Sequence, residues 1–218
     1  MDDKSRRSIR RRFKGKRREQ GILFYVPFFF NYILIPFVVF MTFQKYGLED
    51  ETYSNIANFS QYFTPVLTVW WIFLAFIKYI DGEGNEIYYV KNRIKLKEVL
   101  LFLGIYVVST IVPFICYSRM FSGMWLEWLR IVVECIVFAA ISYCLLFLIQ
   151  NIAITMIPVI GYAFGSVFLR GEQPSKLLYY GEQKATVEIL KDKYLLLLGI
   201  SVVCFAIGVL ANWKKEKY

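Results

Sequence analysis

The chain contains no histidine, and its four cysteines stand alone without metal-ligand spacing. The first absence removes His-bearing zinc sites and the Ser-His and Cys-His nucleophile pairs on which most familiar membrane hydrolases depend. The second leaves Cys116, Cys135, Cys144 and Cys204 as small apolar side chains inside apolar runs. No Gly-x-x-x-x-Gly-Lys-Ser/Thr segment is present, so the chain has no phosphate loop of its own. Polar residues that could converge on a reaction centre are nearly missing from the apolar runs, which argues against an enzyme. Repeated charged or carbonyl-rich pore segments are missing too, which argues against an ion channel.

What is there is apolar length. Of 218 residues 57% are hydrophobic and 19% aromatic, with a mean hydropathy of +0.46, far above a soluble domain. Six runs reach the roughly 17 to 25 residues that a helix needs to cross a bilayer: 21–43, 63–80, 99–116, 131–150, 152–169 and 195–211. The reading is an all-α, polytopic protein of six transmembrane helices. The stretch from Ile131 to Leu169 is almost continuous, and Gln150-Asn151 is the point at which it divides into a tight helical hairpin. The first run exceeds a signal peptide's apolar region and lacks a small-residue cleavage site, so it is expected to stay as a span.

Basic residues orient the chain, because Lys and Arg are retained on the cytoplasmic side. Residues 1–20 hold ten of them, including Arg10, Arg11, Arg12, Lys14, Lys16, Arg17 and Arg18, and form a basic segment expected to lie on anionic cytoplasmic headgroups. Nucleic acid is the rival partner for such a cluster, but neither aromatic interleaving nor a folded module accompanies it. With the amino terminus inside, 18 of the 26 basic residues are cytoplasmic, and both termini, the tail 213–218 included, lie inside.

Between the runs, 44–62 reads as a polar outside loop and Tyr117 to Arg130 as an interfacial segment whose Met120, Phe121, Met124, Trp125 and Trp128 form an aromatic belt. Glu127, Arg130 and Glu134 are three and four residues apart, so Arg130 can pair with either carboxylate. Glu134 enters the apolar zone, where it needs that partner. Structural pairing of Arg130 with Glu134 is the plainer reading and a direct transport role the sharper one. Pro27, Pro36 and Asn31 suggest a kinked or closely packed first span. Thr155, Pro158, Gly161 and Gly165 give the fifth a small-residue face for close helix approach.

The connector 81–98 carries the sharpest pattern: acidic Asp81, Glu83 and Glu86 broken by Gly82 and Gly84, then Ile87, Tyr88, Tyr89 and Val90, then Lys91, Arg93, Lys95 and Lys97. Asn85 can cap a short helix beginning at Glu86, and Ile87, Val90 and Ile94 then share one face. Such a face suits either the membrane surface or a groove on another protein.

In layout and in this connector the chain resembles the permease subunits of type-2 ABC exporters, which have six spans, cytoplasmic termini, a basic amphipathic amino-terminal segment and a coupling helix between spans two and three. Glu83-Gly84-Asn85-Glu86-Ile87-Tyr88 with Lys91 and Arg93 is similar to the family's coupling pattern, with Asn85 where Thr is commoner and Tyr88-Tyr89 where a Leu-Leu pair is usual. The resemblance implies a multi-pass protein of the bacterial plasma membrane, paired with a second permease subunit and with a separate soluble ATPase that carries ATP and Mg. This chain would bind no cofactor. Glu83, Asn85, Glu86, Ile87, Tyr88, Tyr89 and Val90 would transmit closure of the ATPase, oriented by Lys91 and Arg93. The implied activity is alternating-access export of a drug-like, peptide or lipid-like substrate. A membrane scaffold or assembly subunit without transport is the alternative.

Overall fold

The computed structural model describes residues 21–80, 95–169 and 176–215. These residues are helical throughout their ordered elements, without a strand. Six helices result: α1, Gly21–Tyr46; α2, Asp50–Ile80; α3, Lys95–Met120; α4, Met124–Ile149; α5, Ile152–Phe168; and α6, which opens at Val187 and runs through a π-turn, Leu190–Tyr194, into Leu195–Lys215. Five are long and apolar enough to cross a membrane, and α5 is a shorter apolar helix. This is the architecture of a multi-pass membrane protein. One end of the bundle carries the turns 47–49 and 121–123 and the segment 176–186; we call it the loop end. The opposite end carries Ile80, Lys95 and the α4–α5 turn.

Chain reversals follow local backbone chemistry. Gly47 (φ 66°) stops α1 and Gly123 (φ 91°) precedes α4, both in left-handed conformations that glycine adopts without a Cβ penalty. Gln150 takes the same region (φ 57°) and ends α4, while the Asn151 side chain accepts the Ile154 N–H at 2.9 Å and caps α5. Two residues therefore turn a 26-residue helix into its neighbour.

Prolines stitch α1 to α2 and α3. A helical proline cannot donate to the carbonyl four residues back, and such a carbonyl needs another donor away from water. For Pro27 that carbonyl is Leu23, and Trp70 Nε1 of α2 donates to it at 2.9 Å. For Pro113 it is Ser109, and Tyr32 Oη of α1 donates to it. Pro36 lies two residues beyond the end of a π-turn, Phe30–Leu34, in which the ladder widens to five residues. A three-helix cycle closes the seam: Asn31 Nδ2 donates to Tyr106 Oη at 2.8 Å, Tyr106 Oη to the Thr64 carbonyl at 2.8 Å, and Thr64 Oγ1 to Asn31 Oδ1 at 3.1 Å.

At the centre stands α4, which packs against α2, α3, α5 and α6. Its small inward residues, Cys135, Ala139, Ala140 and Ser142, let neighbours approach, and Phe138, Tyr143 and Phe147 fill the remaining space. Gly208 of α6 approaches closest: a Cβ there would stand 2.6 Å from Tyr143 Cδ1 and 3.2 Å from the Cys144 Cα.

Two sequence expectations change. Most of 44–62 belongs to α2, and Tyr117 to Arg130 splits between the last turn of α3 and the first two of α4. The apolar runs stop where polar residues begin, but the helices continue because those residues are buried inside the bundle, Thr52, Ser60, Gln61 and Glu127 among them. The aromatic belt dissolves with the segment. Met124 is buried, Phe121 packs edge-on to Tyr53 at 5.9 Å, Trp128 Nε1 donates to Thr110 Oγ1 at 3.1 Å, and Trp125 points outward.

Candidate functional site

The loop end holds a buried polar lock built on one face of α4. Glu127, Arg130 and Glu134 follow at helical spacing and are all buried. Arg130 takes Glu127, not Glu134, as its ion-pair partner. The choice is set by the segment 176–186, which folds over α4 and brings backbone groups to both partners. Arg130 donates to the carbonyls of Gln183 (2.7 Å) and Gly181 (3.2 Å). Glu127 Oε1 accepts the Ala185 N–H at 2.8 Å and Tyr53 Oη at 2.9 Å. Desolvating an ion pair is costly, and these four bonds supply the compensation that makes it tenable.

The segment is held from α2 as well. Gln61 pairs reciprocally with the Gly181 backbone, its Nε2 on the carbonyl and its Oε1 on the N–H, both at 3.2 Å. Tyr180 stacks on Tyr62 with centroids 5.0 Å apart and donates to Asn58 Oδ1 at 3.0 Å. Tyr179 inserts further, 4.9 Å from the Phe138 ring and 5.9 Å from Tyr162, and burial pushes its hydroxyl well above the ordinary range. Tyr162 Oη in turn donates to the Leu177 carbonyl at 2.8 Å. The segment thus plugs the space between α2, α4, α5 and α6.

The expected partner of Glu134 is engaged elsewhere, and Glu134 instead faces Tyr194 Oη at 3.1 Å. The π-turn of α6 delivers that tyrosine: the ladder widens at Leu190, where Leu195 N–H bonds back five residues, and the extra residue turns Tyr194 toward α4. Lys193 Nζ, beside it, donates to the Tyr180 carbonyl at 2.7 Å.

At the opposite end Lys95 is buried, donates to Asn212 Oδ1 at 2.7 Å and lies over the Phe147 ring at 5.4 Å. Glu98 accepts from Tyr79 Oη at 3.4 Å, and Lys97 is exposed. Lys95 therefore ties the start of α3 to α6. The coupling residues Glu83, Asn85, Glu86, Ile87, Tyr88, Tyr89, Val90, Lys91 and Arg93, and the basic residues Arg10, Arg11, Arg12, Lys14, Lys16, Arg17 and Arg18, lie outside the described residues.

Sequence reasoning missed Tyr53, Gln61, Tyr179, Tyr180 and Gly181 as parts of the lock. A signal existed for α2, where Gln61, Thr64 and Thr68 recur every three to four residues in an otherwise apolar helix and mark an inward polar stripe. Among the described residues no acidic, histidine or cysteine group is arranged to hold a metal ion, and all four cysteines are free thiols. No family model, no curated protein and no solved structure matches the chain.

Proposed function

We propose that this chain is the permease subunit of an ATP-driven exporter of the type-2 ABC class, working with a second permease subunit, identical or not, and a separate ATPase. The observation that carries the reading is the connector between α2 and α3, with its acid-glycine start, apolar-aromatic middle and basic exit, in a chain without a phosphate loop. Two features support it. Lys95, in the connector's basic exit and the first residue of α3, is clamped to α6 through Asn212, so a push on the connector would reach α3 and α6 together. The polar lock sits at the other end of the same helices, where opening and closing of a transport path would be felt. An apolar, aromatic interior suits a hydrophobic or amphipathic cargo, and the cytoplasmic side of a bacterial plasma membrane suits the connector and both termini.

The test is co-purification with a soluble phosphate-loop ATPase, sought first among the products of the adjacent genes. Glu86→Lys combined with Tyr89→Ala should release that ATPase, or abolish substrate-stimulated ATP turnover, while membrane insertion stays normal. Unchanged association and turnover would overturn the docking assignment. A chain that associates with other membrane proteins and never with an ATPase would be a scaffold.

A further inference from the structure

Glu134 is fully buried, one turn beyond Arg130 on α4. Its Oε2 has no hydrogen-bond partner among the described residues, and its Oε1 faces Tyr194 Oη at 3.1 Å. The same phenolic oxygen lies 2.9 Å from the Tyr179 carbonyl. A carbonyl oxygen and a carboxylate both only accept, and a single phenolic proton cannot serve both, so a carboxylate here would leave one of the two oxygen-oxygen contacts with no proton in it. A carboxylic acid resolves the count: Glu134 donates to Tyr194 Oη, and Tyr194 donates to Tyr179.

The charged and titratable neighbours are consistent with this arrangement. From α4 itself come Glu127 and Arg130, paired with one another, and the Cys135 thiol. From α6 come Lys193 and Tyr194, from the segment Tyr179, and from α5 Tyr162. The Arg130 guanidinium is turned to Glu127 and two carbonyls, and Lys193 Nζ to the Tyr180 carbonyl. Neither cation forms an ion pair with Glu134.

We propose that Glu134 is a proton-binding site whose proton completes the tie from α4 through Tyr194 to the segment 176–186, and that releasing this proton to water loosens the segment at Tyr179. The proposal stands without the permease reading. On loss of the proton, Tyr194 must turn its hydrogen to the new carboxylate, and the Tyr179 carbonyl loses its donor. One tie between α6 and the segment goes with it, while those through Lys193, Arg130 and Gln61 remain.

Hydrogen exchange of peptides covering Tyr179 to Ala185, read across pH in wild type and in Glu134→Gln, tests the idea. The amide can donate to Tyr194 as the acid does but cannot ionise. Segment opening in wild type relative to the variant should climb about tenfold per pH unit while the closed form holds the proton and the open form has lost it, and level off once both have lost it. Equal pH responses would overturn the proposal. Infrared spectra give a second readout: wild type should show a carboxylic-acid carbonyl band at neutral pH that Glu134→Gln lacks. If the variant fails to fold, glutamate carrying labelled carboxyl carbons in wild type identifies the band. Its absence at neutral pH would equally sink the assignment.

Discussion

Arg130 shows how much one side chain can organise. It crosses from α4 to the overlying segment and answers a carboxylate and two carbonyls at once, a geometry suited to a planar guanidinium and not to an ammonium. Removing its partner leaves an uncompensated buried charge, so Glu127→Ala should lower stability by about 3–5 kcal/mol. The pair replaced together, Glu127→Gln with Arg130→Met, should recover a large part of that loss. Unfolding midpoints of detergent-solubilised protein, followed by tryptophan fluorescence, would check the order; a double variant no better than the single would argue that the carbonyl contacts dominate. Tyr53→Phe removes one bond to the same carboxylate and should cost about 1–3 kcal/mol.

At the scale of elements, the tight approach of α6 to α4 at Gly208 leaves no room for a side chain. Gly208→Ala would set a methyl group against the Tyr143 ring and push α6 from α4, at about 1–3 kcal/mol, whereas Gly199, with nothing within 4 Å, should accept alanine without loss. Comparing the two thermal midpoints isolates the α4–α6 seam. The contrast also marks what was legible in the sequence. The six apolar runs and the reversal at Gln150-Asn151 could be read directly, because length and capping chemistry are local. That Gly208 touches a ring and Gly199 does not depends on which helix lies opposite, and both look alike in a hydropathy profile. The lock was half legible for the same reason: Glu127, Arg130 and Glu134 share a face by spacing alone, but the choice of Glu127 is made by residues more than fifty positions away. The helical extension of α2 through a polar stretch was hidden because those side chains meet polar partners inside the bundle and not water.

For the whole molecule, the asymmetry of Lys and Arg predicts that the connector faces the cytoplasm and the lock the outside. In a cysteine-free background, Lys184→Cys should react with an impermeant thiol reagent outside intact cells, because Lys184 is exposed on the segment 176–186, held by a surface ion pair to Asp50 at 2.7 Å and a contact over the Tyr53 ring at 4.8 Å. Asn85→Cys should resist the same reagent until the cells are opened. Rapid labelling of Asn85→Cys with protection of Lys184→Cys would invert the topology, and with it the side on which any soluble partner is sought.

The six helices are unequal in a way that bears on the lipid around them. Helix α5 has 17 residues while α2 has 31. At about 1.5 Å per residue α5 covers about 26 Å, a few ångströms less than a hydrocarbon core of about 30 Å. A span of that length is accommodated by local thinning of the bilayer or by snorkelling of flanking side chains, whereas longer helices tilt or project beyond the core. The bundle thus has one undersized wall, and the thickness of the host membrane becomes a variable that presses on α5 and, through Tyr162, on the segment it holds.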